Sequence, residues 1–96
     1  MFIILVNYLK PIEDVERALE AHREFLAKHY AAGNLLLSGP QNPRTGGVIM
    51  ARAARREAVE RLVSQDPFFK EGIAEYEIME FLPTMTAEGL EALKEA

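Results

Sequence analysis

The chain opens on an uninterrupted apolar run, Phe2-Ile3-Ile4-Leu5-Val6, with Tyr8 and Leu9 beyond Asn7, and such a run reads as a strand covered on both faces. Pro11 and the Glu13-Asp14 pair then mark a turn and a helix start, because carboxylates favour the positive end of a helix dipole. From Glu13 to Ala32 apolar residues recur at Val15, Ala18, Leu19, Phe25 and Leu26, the spacing of one helix face, and Gly33 suits the left-handed cap that ends it. Leu35-Leu36-Leu37-Ser38 predicts a second strand closed by a Gly39-Pro40 turn, and a polar loop to Gly46-Gly47 leads into a third strand from Val48 to about Ala53. Ala58, Val59, Leu62 and Val63 predict a second helix over Arg55–Gln65, although Arg55 is a poor N-cap. Asp66-Pro67 stops that helix, and Phe68 to Gly72 forms a compact turn. Ile73 to Leu82 sets Tyr76 and Ile78 against Glu75 and Glu77, the alternation of a half-buried strand. After Pro83 a short terminal helix is expected over Thr84–Ala96, centred on about 85–95.

Strand, helix, strand, strand, helix, strand is the order of the ferredoxin-like split arrangement, an α+β fold with a four-stranded antiparallel sheet. Right-handed crossovers place both helices on one face of that sheet. The other face is left bare, and a second copy is its natural cover, so a homodimer packed through the sheet faces is expected. Ninety-six residues with 49% hydrophobic content fit one domain over 1–96. No cysteine is present, which removes disulfides, thiolate nucleophiles and thiolate-bound metals together. A net charge of −4, with no interleaving of aromatic and basic residues, argues against nucleic acid as a partner. The N-terminal run lacks the features of a secretory signal and is too short to span a bilayer, so a cytoplasmic protein with no membrane partner is expected.

One residue breaks the pattern. His22 occupies a position on the first helix where the apolar stripe asks for an aliphatic side chain, so a titratable ring points toward the core. Its unperturbed pKa of about 6.5 suits it to donate or accept a proton near neutrality. Two readings fit: a core histidine with satisfied ring nitrogens, or a catalytic one. Asp66 offers context, since it closes the second helix, which lies beside the first, and a carboxylate there can reach the imidazole and fix its tautomer. Asp-Pro is also an ordinary helix stop. His29 lies two turns further on, about 10 Å along the axis, too far to share a metal easily with His22. Near the helix end it can reach solvent, and a structural role is assigned to it. Arg44-Thr45-Gly46-Gly47 offers a way to neutralise an anionic substrate from a loop, but it matches no phosphate-loop pattern and reads as a hairpin connection. Tyr8, Tyr30 and Tyr76 are candidates to line a pocket, although such tyrosines more often pack and present a hydroxyl to an edge. No metal site is indicated.

Ala21-His22 with Gly33 eleven residues beyond, Leu35-Leu36-Leu37-Ser38-Gly39-Pro40, Gly46-Gly47, and Asp66-Pro67-Phe68 through Gly72 together resemble the YciI-like (YCII-related) family. The resemblance runs from the first strand to about Pro83. It implies a dimeric α+β barrel of ferredoxin-like subunits and a histidine–aspartate site that maps here onto His22 and Asp66. Ser38, Gly39, Pro40 and Phe68 become the candidate substrate-contacting residues. Removal of chloride from a chlorinated hydroxyquinol is the family's main chemical hint. It implies acid–base chemistry of lyase or isomerase type on a small, partly aromatic molecule, without a cofactor. The alternative is a non-catalytic binding or accessory protein using the same pocket. A purely structural module would instead show no cavity beside His22.

Overall fold

The computed structural model describes residues 1–95. In chain order the elements are β1 (Phe2–Tyr8), α1 (Ile12–Ala31), β2 (Leu35–Pro40), β3 (Gly46–Ala51), α2 (Arg56–Ser64), the single-turn α3 (Pro67–Lys70) and β4 (Ala74–Glu80). The four strands form one antiparallel sheet of order β2-β3-β1-β4, the ferredoxin-like arrangement expected from the element order. The apolar N-terminal run thus becomes an inner strand. Phe2, Ile4 and Val6 of β1 are buried in one core with Val15, Ala18 and Phe25 of α1 and Val59, Leu62 and Val63 of α2. Burying one such side chain fully contributes roughly 1.5–3 kcal/mol, so this shared layer fixes both helices on one sheet face.

Several boundaries differ from the sequence expectation, each for a physical reason. Gly39-Pro40 is the end of a strand, not a turn: Gly39 pairs with Val48 and Pro40 with Gly47. Because β2 is an edge strand, a proline that lacks an N–H is tolerated there. β3 starts at Gly46 rather than Val48, since Gly46 and Gly47 already pair with Asn7 and Val6. The turn expected over Phe68–Gly72 contains α3, begun by Asp66 as N-cap with Pro67 behind it. Gly33 takes φ +81 after α1, as its position required.

The terminal helix is not formed. Among the described residues, those beyond β4 form only a turn at Glu88-Gly89 and one 3-10 turn at Glu91–Leu93. A helix that short needs a packed face to hold it, and Gly89 at φ +93 interrupts it. The segment is tied down through its backbone and its charges instead. Phe81 N–H bonds the Met1 carbonyl at 2.9 Å, Arg52 donates to the Ala92 carbonyl at 3.0 Å, and the Met1 ammonium meets Glu95 at 2.9 Å. Among the described residues no helix is long and apolar enough to cross a membrane.

Where the β2–β3 hairpin meets β1, the backbones approach closely at Gly46. A Cβ built on Gly46 would overlap the carbonyl of Val6, a main-chain group that cannot swing away. Gly46→Ala should therefore destabilise the fold by about 1–3 kcal/mol, read as a lower urea midpoint at unchanged m-value. An unshifted midpoint would show that the hairpin and β1 separate without cost.

Candidate functional site

Asp66 is fully buried, yet its carboxylate meets three donors. Oδ1 accepts the Phe68 backbone N–H at 3.0 Å, the N-cap bond of α3, and lies 2.8 Å from His22 Nδ1 on α1. Oδ2 accepts the Tyr76 hydroxyl of β4 at 2.6 Å. A buried carboxylate is costly unless its lone pairs are filled, and three donors from three elements fill them here. Burial first, then the Asp66 charge and hydrogen bond, then Tyr8, push the Tyr76 phenol far above its ordinary value of 10.0. Tyr76 is therefore held as a neutral donor across the working pH range. Reading it as a packing tyrosine missed this role, although its inward position in the Tyr76/Ile78 alternation already directed it at the helices.

The two histidines of α1 have opposite surroundings. His29 is buried, contrary to the expectation that it reaches solvent, because the end of α2 covers it. Its Nε2 lies 3.1 Å from Gln65 Oε1 and its Nδ1 3.1 Å from the Asn34 amide nitrogen, so both nitrogens are occupied by neutral amides. His29 is the satisfied core histidine that was one of the two readings for His22. At His22 only Nδ1 is engaged. The ring stacks on Phe68 with centroids 4.0 Å apart and planes 3° from parallel, which fixes its plane, and Nε2 makes no hydrogen bond among the described residues.

His22 forms part of the wall of a cavity of about 430 Å³ between α1 and the sheet, within the size range of small-molecule sites. Val6 and Tyr8 of β1, Leu19 and Leu26 of α1, Ile49 of β3 and Phe68 give it apolar sides. Ser38, Gly39 and Pro40 line the end formed by β2, and Gly46 to Val48 the adjoining strand. Arg23 and Arg44 complete the lining. All four candidate contact residues therefore meet at one cavity with His22, while Asp66 stands behind the imidazole and does not reach it. Ser38 shares a 2.6 Å hydrogen bond with Tyr30, which orients its hydroxyl. Arg44 does sit in the hairpin connection, as expected, but that connection folds over the cavity. Arg23 carried no sequence signal beyond adjacency to His22. A purely structural module is disfavoured by the cavity itself.

With Nδ1–H donated to a carboxylate, the neutral imidazole carries its lone pair on Nε2, and a positive charge arising on the ring faces Asp66. The arrangement is a histidine oriented on one side and open on the other. Among the described residues no cluster of three His, Asp or Glu side chains could hold a metal ion.

No curated protein matches the chain. Among solved structures, 5-chloro-2-hydroxyhydroquinone dehydrochlorinase (TftG) from Burkholderia phenoliruptrix AC1100, in complex with 2,5-dihydroxybenzoquinone, is similar with a TM-score of 0.72 and 19% sequence identity. The match covers 86% of this chain and 95% of that one, a likeness of fold. The profile of the YCII-related domain matches residues 1–82, the stretch that holds all four strands together with His22 and Asp66. By that match the chain belongs to the YCII-related domain family.

Proposed function

We propose that the protein is a small enzyme of lyase or isomerase type, working by acid–base chemistry on a compact ring-bearing metabolite, with His22 moving the proton and Asp66 orienting it. The observation that carries this reading is the 2.8 Å contact between His22 Nδ1 and Asp66 on a ring whose other edge belongs to a ligand-sized cavity. Nε2 takes a proton from a carbon or hydroxyl of the bound molecule, and the bonding electron pair stays on that molecule. The pair then either recaptures the proton at another atom, giving an isomer, or expels a leaving group with its electrons, giving an elimination. A dehydrochlorinase shares the fold, and loss of hydrogen chloride is an elimination of this form. Ser38, Gly39, Pro40 and Phe68 position the ligand, and no cofactor enters the scheme.

The working unit in this reading is a homodimer. Ile3, Leu5, Val48 and Met50 lie half-buried on the sheet face away from the helices, with Leu37 and Met79 more than half exposed beside them. Glu75 and Glu77 of β4 border this patch on the same face, and an apolar patch so bounded is a surface that a second copy can cover about a two-fold axis.

Three outcomes test the proposal. Incubation with hydroxylated quinones and a metabolite mixture, followed by mass spectrometry, should reveal a ligand that is chemically changed. His22→Ala should then slow turnover about 10²–10⁴-fold, and Asp66→Asn should lower kcat more than it raises KM. A ligand recovered unaltered, or full turnover in both variants, would contradict the catalytic reading.

Tyr76 offers a check that needs no substrate. In the unfolded chain its phenol ionises near 10.0, whereas in the folded chain it stays protonated, so the unfolded state binds fewer protons above that pH and stability falls as pH rises. Urea midpoints followed from about pH 8 to 11 should therefore drop more steeply in the wild type than in Tyr76→Phe. Parallel curves would mean that Tyr76 is not held as a donor to Asp66.

For the dimer, sedimentation equilibrium should return twice the monomer mass, and Leu37→Glu with Met79→Glu should shift it to one chain. A wild-type protein that is monomeric at micromolar concentration rules the dimer out.

A further inference from the structure

The charges around the cavity are one-sided. The chain carries 15 acidic residues against 11 lysines and arginines, yet no carboxylate lines this cavity. Its titratable lining consists of His22, Arg23, Arg44 and Tyr8, and Asp66 is screened from it by the imidazole. Arg23 and Arg44 are both exposed, so they stand at the solvent side of the cavity, while Val6, Phe68 and Ile49 form its buried depth.

The two arginines are available to a ligand. Among the described residues Arg23 has no ion-pair partner, and neither do Arg55 and Arg61, whereas Arg17 and Arg56 each meet a carboxylate. Arg44 lies 3.9 Å from Glu16, beyond hydrogen-bond distance and with both side chains solvated, a pairing of little energetic weight. They come from different elements, Arg23 from α1 next to His22 and Arg44 from the β2–β3 connection. A guanidinium presents a rigid fork of donors to an oxyanion, and its interaction strengthens when a ligand displaces water from an apolar cavity. One anionic group held between them would leave an apolar ring against Val6 and Tyr8, within reach of His22.

Resting on the reading of this cavity as the ligand site, we infer that the bound molecule is a small organic anion: a single-ring body bearing a carboxylate or an ionised phenol, held at the cavity's solvent side by Arg23 and Arg44. The charge selects the ligand and sets which end of it faces His22. Proton removal from such a molecule raises its negative charge, which the same guanidiniums stabilise.

Three probes of matched ring size separate the possibilities: benzoate and 2,4-dinitrophenolate, both anions at about pH 8, and neutral benzamide. Binding is followed on the intact protein through the methyl NMR signals of Val6, Leu19 and Leu26. At least one anion should shift these signals and bind at least tenfold more tightly than benzamide, and whichever anion binds better identifies the carboxylate or the phenolate as the recognised group. The double variant Arg23→Gln/Arg44→Gln should lose about tenfold or more in anion affinity, a change of about 1.4 kcal/mol. Arg55→Gln/Arg56→Gln, an equal loss of charge away from the cavity, should change it less than twofold. Benzamide binding as tightly as the anions, or an unchanged anion affinity in the Arg23/Arg44 variant, overturns the inference and leaves the cavity standing as the ligand site. Absence of any methyl shift with all three probes overturns both.

Discussion

One buried carboxylate organises the functional end of this fold. Asp66 joins three elements that share no other polar centre: α1 through His22, α3 through the Phe68 amide, and β4 through Tyr76. Each hydrogen bond to a charged acceptor is worth roughly 1.5–3 kcal/mol, and a partner left unsatisfied in the interior costs a comparable amount. Removing the carboxylate would therefore loosen the packing of a helix, a turn and a strand at the same time as it freed the imidazole. Structure and chemistry are coupled at this point. The same N-cap bond that starts α3 delivers Phe68 to stack on His22, so the ring is fixed in plane by one residue and in orientation by its near neighbour.

The second histidine shows how differently two imidazoles on one helix can be surrounded. Both lie on α1, seven residues apart, and both are largely withdrawn from water. His29 gives each nitrogen to a neutral amide, whereas His22 gives one nitrogen to a carboxylate and presents the other edge to a cavity. An amide cage occupies both nitrogens and leaves neither for a ligand. A carboxylate on one side fixes the orientation of the ring and leaves its other edge toward the cavity.

Much of this was legible in the sequence because it depends on periodicity and local backbone chemistry. The apolar run of β1, the stripe of α1 through His22 and the break at Asp66-Pro67 required only the spacing of side chains, and the element order they imply is the order found. What was not legible depends on contacts across elements. Gly39-Pro40 looks like a turn in isolation and becomes a strand end because an edge position tolerates proline. His29 looks solvent-facing until Gln65 at the end of α2 is placed over it. Arg23 carries no local mark beyond its place next to His22, and Tyr76 only its inward place in the β4 alternation, since one matters only when a cavity forms beside it and the other only when β4 lies under Asp66. The terminal helix failed for the converse reason, as its local propensity met no partner surface to pack against.

The proposed function requires that Asp66 hold His22 as a ring protonated at Nδ1 with its lone pair on Nε2. Ring 15N chemical shifts of the two histidines, recorded at a pH where both are neutral, test it directly. Opposite tautomers are expected in one protein: Nδ1–H at His22, facing Asp66, and Nε2–H at His29, donating to Gln65. A His22 that carries its proton on Nε2 would contradict the account, because the nitrogen facing the cavity would then have no lone pair with which to take a proton.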